Sequence, residues 1–151
     1  MATATTAPSK REAPTGAHRR ELRAALERTL AEVAADEHKS ALISAARLRM
    51  RFEFTDLEMA LNVAAGNGDD GLTWSFADDP GWAPKLVLRM TSAVANRYLQ
   101  GRESLAIALA RGEVRCQGES RVALLYLPAA RLLADPYRRV VEADYPDLVA
   151  A

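Results

Sequence analysis

The sequence predicts an α+β fold with a mainly antiparallel sheet. Four stretches of alternating apolar and polar residues follow one another between residues 47 and 90, and short turns join them. This pattern is typical of antiparallel strands. Helical periodicity precedes these strands and follows them, with a fifth short strand among the later helices, which is typical of the α+β class. The chain has 151 residues, enough for one domain with a sizeable core.

The first helix and the first strand each carry a clear apolar face. From about residue 18 the helix has four apolar residues on one stripe: Leu22, Leu26, Leu30 and Val33. Segment 37–45 is ambiguous, and we interpret it as a connection. The strand at 47–54 has an apolar side made by Leu48, Met50, Phe52 and Phe54. Its other side is charged: Arg47, Arg49, Arg51 and Glu53.

A phase slip and a glycine-rich hexapeptide separate the next strands. The alternation shifts by one at Thr55 and Asp56 and resumes over 57–63, which indicates a tight turn or a bulge between antiparallel strands. Residues 66–71, GNGDDG, have the glycine spacing of a dinucleotide-binding loop. Such a loop needs a following helix to hold the pyrophosphate, whereas residues 72–77 alternate like a strand. The hexapeptide therefore predicts a turn into the third strand, and its glycines also exclude a calcium loop.

The fourth strand leads into two short helices. A loop rich in proline and glycine at 77–84 precedes the strand at 85–90. Thr91 and Ser92 are predicted to cap a helix that ends at Gly101. A shorter helix at 103–111 follows and places Leu105 and Leu109 on one side.

The last third of the sequence predicts a fifth strand and further helices. The strand is expected at 113–117, and residues 119–127 fit a helix better than a second strand. Pro128 is predicted to end that helix and to open the next one at 129–135. An amphipathic segment at 136–145 follows.

Single residues with reactive side chains do not combine into a catalytic or metal-binding arrangement. His18 and His38 lack acidic or thiol partners at a metal-ligand spacing. Cys116 is predicted to be a small buried residue on the fifth strand rather than a nucleophile. Ser120 lies in GESRV, where Val122 replaces the second glycine of a nucleophile elbow, so we expect it to cap a helix. We predict neither enzymatic activity nor a metal or cofactor.

Charge and hydropathy limit the classes of partner. Twenty basic and twenty acidic residues cancel, so we do not expect nucleic-acid binding. A solvated outer sheet face explains the arginines of the first strand better than a phosphate or anionic head-group site. The acid pairs at 69–70 and 78–79 are predicted to accept hydrogen bonds from nearby backbone N–H groups in turns.

The terminal segment and the cellular setting are also expectations from composition. Residues 1–17 contain no apolar segment to bury, so a disordered tail explains them better than a transit peptide. Residues 18–151 then form a single domain with an extended C-terminal helical segment. No apolar run is long enough to span a bilayer, and a single cysteine fits a reducing compartment, so we predict a cytoplasmic protein without integral membrane association.

The C-terminal half carries a family resemblance. Residues 99–119 read LQGRESLAIALARGEVRCQGE, in which Gly112 and Gly118 flank a short strand and Gly101 precedes a short helix. This segment resembles the signature region of sterol-carrier-like domains, the family of the non-specific lipid-transfer protein. The order of predicted elements from residue 19 to about 134 is similar as well. Thr91 stands near where the family often has a capping aspartate.

The resemblance implies a twisted five-stranded sheet with helices packed over one face and an apolar cavity between them. Members of the family bind acyl chains, acyl-CoA or sterols without chemistry. In this sequence the sheet wall would comprise Met50, Phe52, Leu61, Trp74, Phe76, Leu88 and Met90. The helical side would comprise Val94, Tyr98, Leu105 and Leu109. A lid would comprise Tyr137, Val140 and Val141.

One alternative stays open. The same inward side chains are compatible with a densely packed interior that leaves no cavity. In that case the fold would serve as a protein-interaction module or a homodimer, with the arginine stripe and the apolar C-terminal segment as contact surfaces.

Overall fold

The computed structural model describes residues 17–66 and 71–149. Two helices, α1 (Ala17–Ala35) and α2 (Glu37–Ala45), precede the strands β1 (Leu48–Phe54), β2 (Met59–Ala65), β3 (Thr73–Ser75) and β4 (Leu86–Met90). Then follow α3 (Ser92–Leu99), α4 (Leu105–Ala110), β5 (Arg115–Gly118), α5 (Ser120–Ala130) and α6 (Ala134–Asp144). Short 3-10 turns occupy Arg131–Leu133 and Pro146–Leu148.

The five strands form one mixed sheet in the order β3-β2-β1-β4-β5. Only β1 and β4 pair in parallel among the described strands, and the other three pairs are antiparallel. Phe52 at the centre lies opposite Leu61 of β2 and Leu88 of β4. The predicted α+β class with a five-stranded, mainly antiparallel sheet is confirmed.

One face of the sheet packs against helices and forms the core. Side chains on β1 alternate between buried and half-buried along the whole strand, as predicted. The four apolar residues of the α1 stripe are all buried. Leu30 of α1, Ile43 of α2 and Ala129 of α5 surround the same small void as Met50 and Phe52, so all three helices cover this face.

Segment 37–45, which we interpreted as a connection, is the helix α2. Asp36 caps it by accepting a hydrogen bond from the Lys39 backbone N–H at 3.1 Å, and Ile43 is buried beneath it. The helix ends against the end of β2. A Cβ on Gly66 would lie 1.9 Å from the Ser44 carbonyl oxygen, and Gly66 has a φ of +74°. Only glycine fits this contact.

The turn between β2 and β3 lies mostly outside the described residues, as does the acid pair at 69–70. β2 and β3 pair antiparallel on either side of it, as the turn interpretation requires. Among the other predicted turns, Asp79 accepts a hydrogen bond from the Gly81 N–H at 2.9 Å. Residues between β1 and β2 form the tight turn expected from the phase slip.

Two side chains cap the helix α3. Thr91 accepts from the Val94 backbone N–H at 3.3 Å, as predicted. Asp56, from the β1–β2 turn, also accepts from the backbone N–H and the hydroxyl of Ser92, both at 2.7 Å. The carboxylate at this helix start therefore comes from a residue 36 positions earlier in the chain, which local sequence cannot reveal.

The predicted helix boundaries around α5 are wrong. α5 continues through Pro128 to Ala130 before it tightens into the 3-10 turn. Proline removes one intrahelical hydrogen bond, but here that bond belongs to the last turn, where the geometry is already changing. Glu119 occupies the N-cap position with extended backbone, and Ser120 is the first helical residue rather than the cap.

The prediction that Cys116 is buried is also wrong, because the thiol is exposed. Cys116 lies opposite Leu88, which is fully buried, so the alternation along β5 was read correctly. However, all four residues of β5, the strand at this edge of the sheet, are exposed. Desolvation still raises the pKa of the Cys116 thiol above its ordinary value.

Candidate functional site

The interior between the sheet and the helices is filled by side chains. Met50 and Phe52 border a void of about 10 Å³, close to the smallest volume that holds one water molecule. Leu61, Leu88 and Met90 are each 2% exposed or less and belong to the same core cluster. Packing at this density leaves no room there for an acyl chain.

The remaining predicted site residues are scattered. Trp74 and Phe76 are half-buried near the β3 edge of the sheet, and the Arg23 guanidinium lies 4.7 Å from the centre of the Phe76 ring. Val94 is buried in the core. Leu109 is exposed, because α4 turns Leu105 and Ala108 inward instead.

The segment predicted as a lid is part of the core. Tyr137 and Val141 are 0% exposed and Val140 is 4% exposed. The Tyr137 hydroxyl donates to Asn96 Oδ1 at 2.7 Å. On the surface, Arg139 pairs with Glu32 of α1 at 2.7 Å, so α6 is attached to α1 and α3 by buried and exposed contacts.

Tyr98 and Leu105 line the same groove, which is formed in part by residues of the C-terminal helices. This C-terminal groove has a volume of about 670 Å³ and lies between the α3–α4 connection and the region where α5 passes into α6. Its aliphatic residues are Leu99, Leu105, Leu127, Ala130 and Ala134, with Ala106 at the surface. Its charged residues are Arg102, Glu103, Arg131, Asp135 and Arg138.

Each acid of the C-terminal groove has an arginine partner. Glu103 Oε1 lies 3.7 Å from Arg97 Nε, and Asp135 Oδ1 lies 2.7 Å from an Arg138 amino nitrogen. These pairs neutralise both carboxylates. Arg102 and Arg131 form no ion pair with a carboxylate of any described residue. Because Arg97 lies outside the groove lining and neutralises Glu103 from there, two lining guanidinium groups, those of Arg102 and Arg131, are left in excess.

Two buried oxygen atoms in the wall of this groove have no hydrogen-bond partner among the described residues. They are Tyr98 Oη and Glu103 Oε2. Tyr98 is 8% exposed, and desolvation raises its pKa to about 12, although the nearby charge of Arg131 lowers it. Buried polar atoms normally have partners, so these two oxygens destabilise the groove wall.

A second groove is almost wholly apolar. This α2–α5 groove has a volume of about 340 Å³ and is lined by Leu42, Ala45, Ala46, Leu125, Pro128, Ala129 and Leu132. Leu42 and Leu125 are 47% and 55% exposed. Exposed apolar surface of this kind marks contact sites on many proteins.

One arginine of the stripe on the outer sheet face, Arg51, forms local pairs. Arg51 Nε lies 2.8 Å from Glu53, and Arg89 Nε lies 2.5 Å from the other oxygen of the same carboxylate. Together the two arginines lower the pKa of Glu53. Arg51 also donates to Asn62 Oδ1 at 2.8 Å. These contacts account for Arg51, one of the three arginines of the stripe, without an external anion.

The described residues contain no group of three or more His, Cys, Asp or Glu side chains placed to hold a metal ion. None of their helices is both long and apolar enough to cross a bilayer.

The groove residues missed by sequence reasoning come in equal parts from two segments, residues 99–106 and residues 127–138. Leu127, Ala130 and Arg131 belong to stretches whose helical pattern was recognised. Periodicity identifies the apolar side of a helix but does not show which neighbour that side approaches. The excess of arginine over acidic residues between residues 97 and 138 is the one feature of the sequence that could have pointed to this groove.

The structure is similar to solved sterol carrier protein domains. A conserved hypothetical protein of Thermus thermophilus aligns with 18% identity and a TM-score of 0.56, over 78% of this chain and 86% of that one. The apo form of sterol carrier protein 2 from Yarrowia lipolytica aligns with 11% identity and a TM-score of 0.53, over 77% and 86%.

A sec-alkylsulfatase of Pseudomonas sp. contains a similar region, with 15% identity and a TM-score of 0.50 over 60% of this chain. The chain spans only 14% of the length of that enzyme. The sequence matches no protein-family model and no curated protein sequence. With the element order, the mixed sheet and the helix-covered face, these similarities establish that the chain has the fold of the sterol carrier protein 2 domains.

Proposed function

We propose that the protein binds an apolar ligand, such as a fatty acyl chain, an acyl-CoA or a sterol-like lipid, without changing it chemically. The observation that carries this proposal is the C-terminal groove of about 670 Å³ in a sterol-carrier fold. Its volume falls within the range of roughly 300–1,000 Å³ that is common for small-molecule sites. Leu99, Leu105 and Leu127 are among the lining residues and offer apolar contact to a chain.

The energetics are adequate for a single chain. Ten methylene groups removed from water contribute about 8 kcal/mol in total. Loss of translational freedom and ordering of the chain offset part of this gain. Dissociation constants in the micromolar range or weaker are therefore expected, which suits a carrier that must also release its cargo.

The proposal locates the ligand in the C-terminal groove rather than between the sheet and the helices. A void of about 10 Å³ beside Met50 and Phe52 would have to grow many-fold to admit a chain. Such growth would separate residues that are almost wholly buried. The groove is already open, so binding there needs no such rearrangement.

A bulky substitution at the groove edge tests the proposal. Ala106 lines the groove but is itself exposed, so Ala106→Trp should obstruct the site without disturbing the core. Ala110→Trp is the matched control, because Ala110 is exposed on the same helix and does not line the groove. Displacement of a fluorescent fatty acid should weaken in the first variant and stay unchanged in the second. Equal displacement in both variants would refute this location.

The α2–α5 groove favours a second candidate function, a protein-interaction or self-association module. Leu124, next to the groove, is 76% exposed, and Leu125 extends the apolar surface. If the chain self-associates through this surface, Leu125→Glu should shift the sedimentation coefficient to that of a monomer. Ile107→Glu, at a site 51% exposed on α4, is the control and should leave the coefficient unchanged. A wild-type protein that sediments as a monomer would exclude self-association.

A further inference from the structure

The two excess arginines of the C-terminal groove indicate the polar end of its ligand. Glu103 is matched by Arg97, which does not itself line the groove, and Asp135 is matched by Arg138. Arg102 and Arg131 are both exposed side chains that line the same groove. They remain without a carboxylate among the described residues. The whole chain has a formal net charge of zero, so this local excess is not a property of the protein in general.

A groove lined by both guanidinium groups and apolar side chains suits an amphipathic anion. Arginine binds carboxylate and phosphate groups through paired, charge-assisted hydrogen bonds. The apolar residues Leu99, Leu105 and Leu127 lie in the same groove as Arg102 and Arg131. A ligand with one charged end and one hydrocarbon chain would therefore satisfy both parts of the lining at once.

We infer that the C-terminal groove is selective for single-chain lipids with an anionic head group, and that Arg102 and Arg131 bind that head. This inference rests on the proposed function, because it requires that the groove hold the chain. A carboxylate and a phosphate head share the relevant chemistry. Arg131 and the buried Tyr98 line the same groove.

Three lipids of equal chain length test the inference: hexadecanoate, hexadecyl phosphate and hexadecanol. Their dissociation constants are measured by displacement of a fluorescent probe from the full chain. The wild-type protein should bind at least one of the anions about five- to tenfold more tightly than the alcohol, since exposed charge pairs contribute modestly. The stronger of the two anions then identifies the head as a carboxylate or a phosphate.

Substitutions assign the selectivity to the two arginines. The double variant Arg102→Gln/Arg131→Gln should lose the preference for the anion while its affinity for hexadecanol stays unchanged. Arg111→Gln is the control, because Arg111 is exposed at the end of α4 and does not line the groove. Circular dichroism verifies that the variants are folded.

The outcomes separate the two proposals. Equal affinity for hexadecanol and for both anions would overturn the head-group inference and leave chain binding intact. An anion preference that survives in the double variant would overturn the role of Arg102 and Arg131. If none of the three lipids binds, the proposed function fails, and the head-group inference fails with it.

Discussion

Two buried tyrosines should respond in opposite directions to the same substitution. The Tyr137 hydroxyl donates to Asn96 Oδ1 at 2.7 Å, whereas Tyr98 Oη has no partner among the described residues. Tyr137→Phe removes a hydrogen bond and should lower the free energy of unfolding by about 1 kcal/mol. The cost stays near this value because Asn96 Oδ1 still accepts from Gln100 Nε2 at 2.8 Å.

Tyr98→Phe removes a buried hydroxyl that gains nothing from folding. A buried polar group without a partner costs about 1–3 kcal/mol, so the variant should be more stable than the wild type by about 1 kcal/mol. The difference between the two variants should therefore approach about 2 kcal/mol.

Urea unfolding followed by circular dichroism measures both free energies, and thermal unfolding should show Tm changes of about 2–4 °C in opposite directions. If Tyr98→Phe destabilises the protein as much as Tyr137→Phe, the Tyr98 hydroxyl has a partner in solution and the reasoning is refuted.

Three further outcomes are expected. Burial raises the pKa of Tyr98 to about 12 and also raises the pKa of Tyr137, so the folded state keeps protons that the unfolded chain releases. The unfolding free energy should therefore fall as pH rises from 10 to 12, by up to about 1.4 kcal/mol per pH unit for each of the two tyrosines. A flat profile in the wild type would contradict this. Gly66→Ala should lower the free energy of unfolding by at least about 2 kcal/mol, because the new Cβ would clash with the Ser44 carbonyl. Gly112→Ala, at a φ of +76° in open space, should lower it by only about 1 kcal/mol. Denaturant unfolding measures both values. Cys116 should react to completion with a thiol reagent in the folded protein, faster as pH rises; labelling only after denaturation would show that it is buried.

The parts of the fold that were predicted from sequence depend on local periodicity. Alternation along 47–54 identified β1 and its buried face, and the phase slip identified the turn before β2. Spacing along α1 identified its buried stripe. These patterns follow from side-chain geometry within one element, so they need no knowledge of neighbouring elements.

The parts that were missed depend on contacts between distant segments. The burial of Cys116 depends on whether another element covers β5. The alternation of apolar and polar residues along β5 gives no information about such a cover. The second cap of α3 comes from Asp56 in another turn. The C-terminal groove exists because the α3–α4 connection stands apart from Leu127 and Arg131, which is a property of packing rather than of pattern.

The location of a bound chain is the central claim, and an NMR titration tests it most directly. Hexadecanoate is added to isotopically labelled protein, and amide chemical shifts are followed along the chain. We predict saturable shifts for residues lining the C-terminal groove, including Leu99, Leu105 and Arg131, with little change at Met50 and Phe52. Shifts centred on Met50 and Phe52, or no saturable shifts at all, would contradict the account.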